Sequence, residues 1–212
     1  MLSFVLVSYV GAFLTAALLT PLIRSLAPVL GLVDQPGHRK VHVQPTPMGG
    51  GIAVFLGIGL PVFVLLGRPD ALGAYGERFE FIRTSLLNDQ SVLTQIGGIA
   101  AGGIILFVTG LVDDLRNLSW MFRLGIQLCV AAGVAFCGVR ATLFVSQPWI
   151  GFVVTVLWIM VLTNAMNFLD NMDGLSAGIG VIAAMMSVGI LLLMVRSRIG
   201  ALLLCCCCWE DH

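Results

Sequence analysis

The chain has little charge. Lys, Arg, Asp and Glu make up only 10% of its 212 residues, against about 25% in soluble domains. So few ionised groups cannot keep a surface in water when 58% of the residues are hydrophobic. A mean hydropathy of +1.02 points to lipid as the solvent. No sign of charge is in excess either, because 11 basic and 11 acidic side chains cancel. That excludes a nucleic-acid partner gripped by a basic face. Spaced cysteines are lacking. Of the six, Cys129 and Cys137 sit in an apolar stretch and Cys205, Cys206, Cys207 and Cys208 run consecutively. This fits neither a disulfide framework nor a zinc site. Histidine is scarce at three residues. His38 and His42 have the spacing of a helical metal pair, yet Pro36 and Pro45 oppose a helix there and no third ligand lies nearby. The start, Met1 to Thr20, lacks the basic region and cleavage site of a secretory leader, so it reads as a membrane span. The Gly-Lys-Ser/Thr of a phosphate loop is missing, as is a repeat of the inverted-transporter kind.

What remains is apolar and long. Six segments have the length and continuity of membrane helices: roughly 2–23, 48–67, 92–112, 122–139, 149–168 and 175–195. Backbone groups in lipid must bond within their own segment, and these runs are too long and unbroken for barrel strands. The expected fold is therefore all-α, a polytopic transmembrane helix bundle with about six spans and a partial seventh from Ile199 to Cys208. Residues 1–200 are expected to form one transmembrane domain, and 201–212 an aberrant tail that looks like a frameshift or premature stop. The connections 24–47, 113–121 and 169–174 then share one side of the membrane and hold nearly every reactive side chain. Arg and Lys are spread over both sides, so the positive-inside rule does not orient the bundle.

Three constellations carry chemistry. Asp113 and Asp114 directly follow an apolar run, where two adjacent carboxylates repel each other and oppose the helix dipole. A divalent cation relieves both costs, and Mg²⁺ characteristically takes one or two carboxylates plus substrate phosphates. Two solvated acids at a helix end explain the pair equally well. In Asn164-Ala165-Met166-Asn167-Phe168-Leu169-Asp170-Asn171-Met172-Asp173-Gly174, polar residues recur every third position, which keeps Asn167, Asp170 and Asp173 on one stripe. An Asn/Asp turn accounts for 170–174 but not for Asn164 and Asn167 within apolar sequence. In the loop from Asp34 to Gly51, three prolines give stiffness. Arg39 and Lys40 offer phosphate contacts, and Gly49, Gly50 and Gly51 open the next helix to a close anion. Alone, that loop reads as a basic segment that fixes topology. Together, carboxylates, amides and cations on one membrane face suit phosphoryl transfer, which needs charge neutralisation and positioning more than covalent chemistry.

The runs GLVDQPGHRKVHVQPTPMGGGIAVFLG, GLVDDLRNLS and NAMNFLDNMDGLSAG, in that order, resemble the polyprenyl-phosphate N-acetylhexosamine-1-phosphate transferases of glycosyltransferase family 4. The basic loop is closer in wording to the undecaprenyl-phosphate GlcNAc-1-phosphate transferases. The resemblance implies transfer of N-acetylhexosamine-1-phosphate from a UDP-sugar such as UDP-GlcNAc to undecaprenyl phosphate, with release of UMP. That is the first membrane step of an envelope polysaccharide, cell-wall polymer or lipopolysaccharide. It implies Asp113, Asp114 and Asp170 as catalytic and metal-binding residues, with Mg²⁺ or Mn²⁺ as the cofactor. Lys40, Thr46, Asn167 and Asp173 are implied as substrate contacts. The implied partners are the nucleotide sugar, the polyprenyl phosphate, the membrane and a second copy in a homodimer. The implied location is the bacterial inner membrane, multi-pass, with the active site facing the cytoplasm. The family's later Gly-Asp-Ser-Gly type motif and His-rich loop do not occur in these 212 residues. The alternatives are therefore an inactive truncated fragment of such an enzyme or a membrane transporter.

Overall fold

A computed structural model describes residues 2–34, 46–67, 84, 88–141, 147–169 and 175–207. All six apolar segments are helices: α1 (Leu2–Leu26), α2 (Gly50–Gly67), α3 (Gln90–Arg116), α4 (Trp120–Phe136), α5 (Pro148–Leu169) and α6 (Leu175–Cys207). Among the described residues, three helices are long and apolar enough to cross a membrane, at Tyr9–Leu26, Gln90–Arg116 and Pro148–Leu169. Shorter apolar helices lie at Gly50–Phe63, Trp120–Phe136 and Leu175–Ile190. Large apolar side chains stand on the outside, such as Phe13, Phe63, Phe136 and Phe168. Lipid solvates such a surface and water does not. The chain is an α-helical membrane protein.

Two details depart from the expected boundaries. α6 passes Arg196 and Arg198 without a break and runs to Cys207, where a span was expected to end near 195. The segment holds no proline to interrupt it. In addition, Val33–Asp34 and Thr46–Pro47 form a two-residue antiparallel ladder, β1 and β2, pairing Val33 with Pro47 and Asp34 with Thr46. Met48 N–H also donates to the Leu32 carbonyl at 2.8 Å. The base of the proline-rich loop is thereby closed, and α2 begins at a fixed point.

The helices fall into two compact units, Leu6–Val161 and the combination of Met1–Val5 with Leu162–His212. Within the first unit, α3 and α4 approach closely at small residues. A Cβ added at Gly102 would lie 2.9 Å from Val134 Cγ2, and one at Gly98 would lie 2.7 Å from Cys137 Cβ. Such contacts let helices associate in lipid, where no hydrophobic force draws them together. Ala131 and Ala135 of α4 pack on Val156 of α5, with Phe152 and Ile159 around them. The Ala141 N–H donates to Thr155 Oγ1 at 2.8 Å and ties the α4–α5 connection to this core. α2 and α3 are joined by the stacked rings of Phe55 and Phe107, whose centroids are 4.2 Å apart. In the second unit, the end of α5 is followed by α6.

Asp89 starts α3. Its carboxylate accepts from the Ser91 N–H at 2.9 Å and the Val92 N–H at 3.5 Å, the bonds of an N-cap. The Ser91 side chain, then the Ser91 and Val92 backbone groups, hold the carboxyl below its ordinary value of 3.8. A carboxylate with a lowered folded pKa stabilises fully above its unfolded pKa and loses that effect as pH falls through the folded one. Asp89→Ala is therefore expected to unfold at a lower temperature than the parent at neutral pH. The deficit should vanish well below pH 3.8, which thermal unfolding in detergent measures. A deficit independent of pH would show that the cap is not ionic.

Candidate functional site

The adjacent acids lie inside α3. The connection to α4 was expected to span 113–121, but the helix continues to Arg116 and only 117–119 stand between the two helices. Intrahelical bonding satisfies the backbone of 113–116. The chain then turns at Asn117, which is left-handed (φ 48°) and donates its N–H to the Asp113 carbonyl at 2.7 Å. Asn tolerates that conformation better than most residues. Ser119 caps α4, accepting from the Phe122 N–H at 3.4 Å. Neighbours on a helix point about 100° apart, so the two carboxylates have different surroundings.

Asp113 faces the turn. Its Oδ1 accepts the Leu118 N–H at 2.8 Å, and its Oδ2 accepts from Arg123 Nη1 at 2.7 Å. Asp114 faces elsewhere. It lines a cleft of about 200 Å³ with Phe107 and Gly110 of α3 and, from the start of α2, Gly49, Gly51 and Ile52. Gly49 has φ of 104°, and its carbonyl accepts the Ile52 N–H at 2.9 Å to open the helix. The first N–H groups of a helix have no intrahelical partner and, with the helix dipole, favour anions. The cleft thus brings an acidic residue and the glycine-opened start of a helix to one place. A larger cleft of about 620 Å³ runs between α3 and α4, lined by residues such as Gly102, Phe122 and Val130. No Asp, Glu, Lys, Arg or His lines it, so we place the chemistry at the smaller one.

Of the residues expected from sequence, Asp113, Asp114 and Thr46 belong to the first compact unit. Thr46 is exposed in β2, at the root of the loop before Gly49. Asn164 and Asn167 lie in the last turns of α5, in the second unit, the former half-buried and the latter exposed. Lys40, Asp170 and Asp173 lie outside the described residues. Among the described residues, no three His, Cys, Asp or Glu side chains gather as a metal cluster. Sequence reasoning missed Arg123. Its signal is a cation in the first turn of a helix, against the dipole preference, ten residues after an acid at a helix C-terminus.

Relatives bear on this arrangement. A "Probable undecaprenyl-phosphate N-acetylglucosaminyl 1-phosphate transferase" of Bacillus subtilis is 34% identical over 187 residues, covering 84% of this chain and 46% of the relative. The decaprenyl-phosphate N-acetylglucosaminephosphotransferase of Mycobacterium tuberculosis is 34% identical over 196 residues, covering 84% and 45%. The undecaprenyl-phosphate alpha-N-acetylglucosaminyl 1-phosphate transferase of Escherichia coli is 25% identical over 183 residues, covering 82% and 43%. The chain spans about half the length of the curated relatives it matches. No solved structure gives a significant match. Residues 96–209, from within α3 past the end of α6, match the description of glycosyl transferase family 4, and it is to this family that the chain belongs.

Proposed function

We propose that the protein transfers N-acetylhexosamine-1-phosphate, with GlcNAc as the sugar, from a UDP-sugar to a polyprenyl phosphate. The observation that carries this reading is that Asp114 lines one cleft with Gly49, Gly51 and Ile52 at the start of α2. The printed activities of the relatives supply the substrate class. In the reaction, an oxygen of the lipid phosphate becomes bonded to the β-phosphorus of the donor. The bond from that phosphorus to the bridging oxygen breaks, and UMP departs with the electron pair.

The backbone donors at the start of α2 beside Gly51 would receive phosphate oxygens, and Asp114 would orient the acceptor phosphate and help hold a cation. Mg²⁺ suits a site with one or two carboxylates plus substrate phosphates, and Asp114 is the described carboxylate proposed for it, with Asp170 a further candidate ligand. Bound there, Mg²⁺ neutralises charge on the phosphoryl oxygens. Lys40 and Thr46 would stand at the phosphate entrance. Asn167 and Asp173 would hold the nucleotide sugar through amide and carboxylate hydrogen bonds. Nucleotide sugars are cytoplasmic, so the site is assigned to the cytoplasmic face of a bacterial plasma membrane.

The test uses membranes carrying the protein, alone or joined to the C-terminal segment of the B. subtilis relative. Labelled UDP-GlcNAc, polyprenyl phosphate and Mg²⁺ are added. The expected result is a lipid-extractable, acid-labile labelled diphosphate with UMP in equal amount. Verified protein in both forms with no labelled lipid would reject the reading.

A further inference from the structure

The two adjacent acids do different work, and the geometry points to Arg123 as the positioning residue that separates them. Asp113 sits in the last turn of α3 and Arg123 in the first turn of α4. A carboxylate at a helix C-terminus and a guanidinium at a helix N-terminus each oppose the local dipole. Neither helix favours its own charge, yet across the turn each compensates the other at 2.7 Å. Arg123 is 36% and Asp113 21% exposed, so solvent screens the pair only in part.

The bond is one of three made by Asp113. Oδ1 takes the Leu118 N–H, Oδ2 takes Arg123, and the backbone carbonyl takes the Asn117 N–H. All three oxygens of the residue are thus turned toward the short α3–α4 connection. The clamp fixes the rotation of the last turn of α3 about its axis. Asp114, the next residue, is carried by the same turn toward Gly49 and Gly51. Loosening Arg123 leaves the Asp113 carboxylate held by the Leu118 N–H alone, a second uncompensated charge beside Asp114, and lets the turn that carries Asp114 drift. A displacement of about 1 Å is enough to cost a hundredfold in a positioned reaction. Arg123 acts through Asp113 and need not touch substrate.

This inference rests on the proposed transferase reading for its catalytic consequence, but the clamp itself is measurable without turnover. The first measurement is a double-mutant cycle on the full chain in detergent, using Asp113→Asn, Arg123→Gln and the pair. Each single change should lower the unfolding midpoint by about 2–4 °C, and the double should fall no further than the worse single. Additive losses would show that the residues do not act on each other and would overturn the clamp.

The second measurement is kinetic, in whichever form makes labelled lipid. Arg123→Gln should lower kcat about tenfold or more, with KM for both substrates within about twofold, and Arg123→Lys should recover to within about threefold of the parent. A raised KM for polyprenyl phosphate at unchanged kcat would make Arg123 a phosphate contact and overturn the positioning role. Parental kcat in Arg123→Gln would overturn it as well. If no form makes product, the transferase reading fails, while the unfolding cycle still decides the clamp.

Discussion

Asp114→Asn is expected to lower transfer about a thousandfold, the scale on which removing a single preorganised electrostatic group acts. Asn keeps the shape of Asp and deletes only its charge, so the cleft beside Gly49 and Gly51 stays open. What is lost is the charge of Asp114, the acidic residue that, among the described residues, lines this cleft with the start of α2. The fold should not suffer. Asp114 is exposed and stands in the last turn of α3, where an anion opposes the dipole, so the helix dipole itself contributes no loss of stability when the charge is removed. That sign separates chemistry from stability. Initial rates of labelled-lipid formation, normalised to folded protein recovered in detergent, measure the loss. Rates within about fivefold of the parent would remove Asp114 from the reaction, because a lost charge contact at phosphate costs far more.

The two acids also show what the sequence could and could not reveal. The helices were legible because apolar length is a direct demand of the bilayer. Each of the six segments became a helix, with ends shifted by a few residues at most of the boundaries. Asp113 and Asp114 belong to the helix and not to the loop that their polarity suggests, because polarity alone does not end a helix. The helix ends instead where Asn117 takes a left-handed conformation and Ser119 caps the next one. Those turn residues are readable in Asn117-Leu118-Ser119-Trp120, but their meaning depends on where the backbone hydrogen bonds run. Arg123 was not legible as a partner of Asp113. A pairing across ten residues and a turn depends on how two helices are set against each other, which no local pattern contains. The β1–β2 ladder was hidden for a similar reason. Two residues on each side carry too little propensity to signal a strand, and pairing follows from closing the loop between them. For Asn167 the polar stripe was legible, yet its partners at 170 and 173 lie outside the described residues.

The three consecutive glycines give the sharpest test of the anion-binding start of α2, because the structure distinguishes among them. Gly49 has φ of 104°, and a Cβ there would meet Ile23 Cγ2 at 3.4 Å and Leu32 Cδ1 at 3.6 Å. Gly50 and Gly51 have ordinary helical placement, and a Cβ on either meets nothing within 4 Å. Sequence alone treats the three as one flexible run, whereas the backbone needs glycine at one of them. An alanine at 49 either keeps the conformation at a strain of about 1–3 kcal/mol or relieves it by rotating the peptide that opens the helix. Rotation moves the Gly50 and Gly51 donors relative to Asp114, and the reaction depends on that relation. Gly49→Ala is therefore expected to cost at least tenfold in transfer and to lower the unfolding midpoint by several degrees, about 2–4 °C per kcal/mol of strain. Gly50→Ala should gain helix propensity, by up to about 1 kcal/mol, and unfold no lower than the parent. Comparing the two variants in parallel cancels the general effects of adding a methyl group near the membrane surface. Equal rates and equal midpoints for Gly49→Ala and Gly50→Ala would show that the start of α2 does not depend on the left-handed residue before it. The cleft would then lose its claim to a fixed set of backbone donors.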